Sequence, residues 1–119
     1  ENYTPHMESF WLNEMKKGNA SPRHTHYTKH FSGCFYVDMP NKAPGIKFYS
    51  PVSRIDKPTI DVRQHGTFNS TMWEFLPEEG QLYMWESWIE HEVVPTDFEG
   101  VRRTAAFDIM LKRNRATFF

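Results

Sequence analysis

Short runs rich in aromatic and β-branched residues recur along the chain at 31–37, 46–49, 59–63, 67–75, 81–85, 89–94 and 102–111. Turn-forming marks separate them: Pro40, Pro44 and Gly45, Pro51, Pro58, Gly66, Pro77, Gly80, Pro95 and Gly100. Short strands at regular spacing, split by proline and glycine, predict an all-β sandwich or barrel. A short helix is expected only near the start, over 7–17, where apolar residues have mixed helical spacing and the run stops at Gly18 and Asn19. The last run has the clearest period of two. Arg102, Thr104, Ala106 and Asp108 fall on one face, and Arg103, Ala105, Phe107 and Ile109 on the other. In a barrel that encloses a ligand, the polar face can be the inward one.

Composition narrows the class. A length of 119 residues fits one domain, and an aromatic content of 16% supplies a core despite a polar average. With 14 basic against 15 acidic residues the chain is not built to hold bulk nucleic acid. No apolar run approaches the roughly 20 residues that span a bilayer, and no signal peptide is visible. The single cysteine, Cys34, excludes an internal disulfide framework and suits a reducing compartment, so a cytoplasmic location is expected. Glu1 is not an initiator methionine, which fits a processed form or a piece of a longer protein.

The candidate chemistry lies in the histidines. His24 and His26 stand at i and i+2, a spacing that puts both imidazoles on one side of an extended strand. His91 follows in another strand-like run. A close pair plus one distant ligand is a common way for a β-barrel to build a metal shell, and imidazole suits iron, zinc, copper and nickel. The pair alone is weak evidence, because chance or a solvated histidine-rich loop produces it as well. His6, His30 and His65 lack such spacing and read as surface or packing residues.

Arg102 lies just past a turn from the strand of His91 and shares a face with Thr104. An antiparallel return through that turn would set Arg102 beside the metal strand. A guanidinium inside a barrel needs an anionic partner. A ligand carboxylate held by its fork, with the Thr104 hydroxyl as a further donor, meets that need. The competing reading is an exposed arginine paired with Glu99 or Asp97.

The ordered motifs Trp11-Leu12-Asn13, His24-Thr25-His26, Ser32-Gly33-Cys34-Phe35-Tyr36, Ser87-Trp88-Ile89-Glu90-His91-Glu92-Val93 and Arg102-Arg103-Thr104 resemble one family. It is the 2-oxoglutarate/Fe(II) oxygenase family common in bacteriophages and marine bacteria. The resemblance spans Trp11 to Asp108. It implies a double-stranded β-helix (a cupin-like jelly roll) filling 1–119 as a single domain, without the N-terminal elements of longer members. It implies His24 and His91 as metal ligands and Arg102 as the grip on the far carboxylate of 2-oxoglutarate, with Thr104 beside it. Tyr36 and Tyr83 are further candidates to hydrogen-bond the co-substrate, while Phe35, Trp85 and Trp88 read mainly as core. The implied activity is an Fe(II)- and 2-oxoglutarate-dependent dioxygenase that hydroxylates an unidentified substrate, with O₂ and the co-substrate as its small-molecule partners. If phage-encoded, it would act in the host-cell cytoplasm. Two alternatives stand beside it: a cupin-type metal dioxygenase that does not use 2-oxoglutarate, and a non-catalytic jelly-roll binding or structural module.

Departures from the family pattern include Tyr27 for proline, Trp85-Glu86 for Phe-Pro, Cys34-Phe35 for Val-Tyr and Asp108 for asparagine. His26 occupies the place where the wider superfamily has a carboxylate. Three neutral imidazoles bring no charge to the metal, where two histidines and a carboxylate bring one negative charge. Glu90 and Glu92 alternate away from His91 and are poor substitutes, so His26 is expected to be the third ligand.

Overall fold

The computed structural model describes residues 2–54 and 63–115. Eight strands carry the fold: β1 Tyr3–Met15, β2 Ser21–His24, β3 Phe31–Asp38, β4 Ile46–Tyr49, β5 Met72–Phe75, β6 Leu82–Glu86, β7 His91–Val93 and β8 Arg102–Arg113. They form two four-stranded sheets ordered β1-β8-β3-β6 and β2-β7-β4-β5. All pairings are antiparallel. Apart from the β4–β5 pair, successive strands cross between the sheets in the manner of a jelly roll.

The expected strands are present, shortened at 67–75 and 89–94, shifted by one at 81–85 and lengthened at 31–37 and 102–111, and the one at 59–63 lies, but for Arg63, outside the described residues. The expected N-terminal helix is not there. Residues 7–15 belong to β1, and the only helical piece among the described residues is a 3₁₀ turn at Pro51–Arg54. The reason is visible in the burial. From Ser9 onward β1 alternates, turning Ser9, Trp11, Asn13 and Met15 inward and Phe10, Leu12 and Glu14 outward. Apolar residues occupy both faces, which hides the period of two. Across the outer face Phe10 is level with Phe107 and Met84, and Leu12 with Ala105, Phe35 and Leu82. No helix among the described residues is long and apolar enough to cross a membrane.

Two glycines are required by close approach. Gly33 lies opposite Phe107 on β8, and a Cβ there would stand 2.2 Å from the ring's Cζ. At Gly45 a Cβ would stand 1.9 Å from the Phe75 carbonyl oxygen, so the entry to β4 runs against β5 with no room for a side chain. Gly80 and Gly100 take positive φ, 82° and 92°, in the turns before β6 and β8.

The space between the sheets is unusually polar. Ser32, Ser87, Glu90, His91, Arg102, Thr104 and Asp108 are buried beside Tyr36, Ile46, Val93 and Ala106. Buried polar groups on this scale mark a site, since each must be hydrogen-bonded or partnered to be tolerated.

Candidate metal centre

Pairing of β2 with β7 sets His24 directly opposite His91. His26 lies past the end of β2, in the turn that leads to β3, so the same-face argument for the His24–His26 pair does not describe the structure. Backbone hydrogen bonding places it instead: His26 N donates to Ser87 O at 2.9 Å, and His26 O accepts from Lys29 N at 2.9 Å. The chain curls back, and the two imidazoles meet all the same.

The three rings face one another, with centroids 5.0 Å apart for His24–His26, 4.4 Å for His24–His91 and 5.3 Å for His26–His91. One nitrogen from each lies within 4.8 Å of the other two. Every Nδ1 is occupied: His24 Nδ1 meets Pro22 O at 2.5 Å, His91 Nδ1 meets Ile89 O at 3.0 Å, and His26 Nδ1 meets Asp108 at 2.9 Å. A carbonyl or carboxylate oxygen accepts only, so each Nδ1 carries the proton and each Nε2 keeps its lone pair. Three Nε2 lone pairs converging from three locked tautomers make a metal-ready donor set. Burial, helped by the nearby His24 and His26, pushes His91 down to about 4, so at neutral pH its ring is the uncharged, ligating form. Trp11 stacks on His26 at 6.0 Å and Trp85 meets His91 edge-on at 5.0 Å, closing the centre on its apolar side.

A cavity of about 430 Å³ contains this cluster and is lined by His24, His26, His91, Arg102, Thr104 and Tyr36 among others. Arg102 is 3% exposed. Its Nε donates to Pro44 O at 2.9 Å, one Nη lies 3.4 Å from Met15 Sδ, and the guanidinium sits 5.4 Å from the Tyr36 ring centre. All of these partners are neutral, and burial lowers its pKa. The alternative pairing is not made: Asp97 bonds Lys17 instead. Nor does Arg102 stand beside the metal strand. The segment from β7 to β8 crosses between sheets, so Arg102 on β8 faces the histidines across the interior, flanked by β1 and β3.

Thr104 lies one inward step along β8, level with Tyr36 and Asn13, and is 2% exposed. Tyr36 is fully buried, its hydroxyl lacks a hydrogen-bond partner among the described residues, and burial raises its pKa. Trp85 Nε1 is likewise buried without a partner. Tyr83 is not among the residues lining this cavity. It packs edge-on against Tyr36 and Phe75, and with Phe48, Trp73 and Trp85 it lines a neighbouring apolar cavity of about 700 Å³. Phe35 and Trp88 are exposed. His6 and His65 are exposed, and His30 accepts from Leu111 N at 3.1 Å, as surface and packing residues do. Glu90 pairs with Arg23, and Glu92 accepts from Tyr49 Oη, so neither glutamate turns toward the histidines.

Asp108, a departure from the family's asparagine, is buried and meets His26 Nδ1. Its period-two register with Arg102 and Thr104 was the signal that it faces inward.

The jelly roll gathers three imidazoles and a buried arginine into one cavity, a set of side chains that could hold a metal ion beside an anion. The chain belongs to the family described as "Putative 2OG-Fe(II) oxygenase", whose model matches residues 9–108 and so includes every residue of the site. Solved structures show the same fold. An oxidoreductase of the 2OG-Fe(II) oxygenase family from Burkholderia pseudomallei superposes with a TM-score of 0.67 at 13% identity, over 91% of this chain and 46% of that one. The non-heme monooxygenase ThoJ, solved as a nickel complex, superposes with a TM-score of 0.63 at 12% identity, over 92% of this chain and 46% of that one. The chain thus spans about half the length of both structures. No curated protein matches it in sequence.

Proposed function

We propose that this chain forms the catalytic core of an Fe(II)- and 2-oxoglutarate-dependent oxygenase, with His24, His26 and His91 as metal ligands and Arg102 as the co-substrate anchor. The observation that carries this reading is the buried Arg102 guanidinium, which among the described residues has only neutral partners and lines the same cavity as the three converging imidazoles. A buried unpaired cation is costly, and a carboxylate of the co-substrate offsets that cost through charge-assisted hydrogen bonds. The donor set fits the metal: neutral imidazoles with locked tautomers suit iron in its divalent state.

Each residue then has a task. Arg102 binds the distal carboxylate and sets the depth at which the dicarboxylate stops. The Thr104 hydroxyl and the unpartnered Tyr36 Oη supply further hydrogen bonds on the same side of the cavity. Trp11, Trp85 and Val93 exclude water around the keto-acid end. Fe(II), when bound, supplies the activation of O₂ coupled to oxidative decarboxylation of 2-oxoglutarate, chemistry that belongs to the cofactor. The protein contributes position, charge balance and a dry wall.

The test is succinate formation from 2-oxoglutarate by the Fe(II)-loaded protein under air, measured with and without Arg102→Met. Uncoupled turnover that disappears in the variant is the expected result. Metal binding with no succinate under any condition would leave a metal dioxygenase that does not use 2-oxoglutarate. Absence of metal binding would leave a non-catalytic module.

A further inference from the structure

Asp108 is 5% exposed and lies on β8 between the two sheets. Its only ion-pair partner among the described residues is His26, whose Nδ1 lies 2.9 Å from Oδ1 and 3.1 Å from Oδ2. Ser32 Oγ donates to Oδ1 at 2.7 Å and lies 2.9 Å from Ser87 Oγ. The Ser87 backbone carbonyl in turn accepts the backbone N–H of His26. One closed network therefore grips His26 at its ring and at its backbone, and it holds one carboxylate.

The other two histidines are held differently. His24 and His91 give their Nδ1 protons to backbone carbonyls, which are neutral. Only His26, the residue standing where a carboxylate ligand is expected, leans on an anion. A buried carboxylate with no Lys or Arg beside it among the described residues needs positive charge from elsewhere. A divalent ion on the far side of the same imidazole supplies it.

We propose that Asp108 is the anionic component of this metal centre. It fixes His26 as an Nε2 ligand and returns, through the ring, the negative charge that three neutral imidazoles lack. Asp108 is a positioning residue, one bond removed from the metal, and this inference rests on the reading of His24, His26 and His91 as ligands. Carboxylate–histidine–metal relays raise ligand basicity, and their loss typically weakens metal binding by about 10–100-fold.

The experiment uses Co(II) as the probe, with affinity from calorimetry and the visible absorption bands as the readout. The wild-type protein is compared with Asp108→Asn, Asp108→Ala and the exchange variant His26→Asp/Asp108→Asn. Asparagine keeps the shape and one acceptor but removes the charge. The expected loss of Co(II) affinity for Asp108→Asn is about 10-fold or more, with shifted bands and an unchanged far-UV spectrum; Asp108→Ala loses more. The exchange variant moves the charge into the ligand shell and is expected to recover most of the wild-type affinity. An Asp108→Asn protein that binds Co(II) as the wild type does, with the same bands, overturns the proposal and leaves the three-histidine site standing. A folded wild-type protein that binds no Co(II) overturns both.

Discussion

His24 Nε2 and His26 Nε2 lie 3.0 Å apart. Two imidazole nitrogens bonded to one ion at about 2.1 Å, at a right angle, stand about 3.0 Å from each other. Under the proposed function the pair and His91 would hold one ion between them, and the cavity they share with Arg102 would receive the co-substrate.

Replacing any one of the three histidines by alanine is expected to weaken Fe(II) or Co(II) binding by more than the roughly 10–100-fold that outer partners cost. His6→Ala and His65→Ala serve as controls and should leave affinity unchanged, since both are exposed. Metal content after dialysis against a weak chelator reads the difference.

Arg102→Met should separate binding from folding. Without co-substrate the buried guanidinium has no anion, so its removal is expected to leave thermal stability level or raised. Affinity for 2-oxoglutarate should fall by about 30-fold or more, the consequence of truncating one side of a buried charge pair. Tyr36→Phe removes a buried hydroxyl without a partner, so it too should spare the fold while weakening co-substrate binding.

Gly45→Ala and Gly33→Ala are expected to destabilise by about 1–3 kcal/mol through overpacking. Gly45→Ala should be the worse of the two, because its Cβ would meet the Phe75 backbone oxygen, whereas Gly33→Ala would meet a ring that can tilt. Urea midpoints of the two variants check the order.

The metal-free protein should lose stability in mild acid through His91. Burial pushes its folded-state pKa down to about 4, below the ordinary 6.5. Between those values the unfolded chain binds more protons than the folded one, so stability rises with pH from about 4 to 6.5 and His91 adds no slope above that window. The effect is at most about 3 kcal/mol. Urea titrations of wild type and His91→Gln at pH 7, 5.5 and 4 isolate it. A wild-type-minus-variant difference that is constant across this range contradicts the assignment.

The exposed rows on the outer face of the β1-containing sheet explain the one element misread from the pattern. Phe10, Trp11 and Leu12 are consecutive and apolar because both faces of β1 carry apolar groups, and a two-residue period cannot be seen when neither face is polar. β8 was legible because polar groups recur along its inner row at Arg102, Thr104 and Asp108 while Ala105, Phe107 and Ile109 are apolar on the other.

Local sequence, then, determined the strand runs, the inward row of β8 and the three histidines as candidate donors, because period, turn residues and ligand chemistry are properties of neighbouring positions. Tertiary structure decided the rest. It carried Arg102 to the opposite sheet from His91, brought His26 back to its partners from a turn, and set Asp108 behind it. The His26–Asp108 contact joins residues 82 positions apart, and only the stacking of two sheets, with the register of β2 on β7 and of β3 on β8, fixes which side chains share an interior.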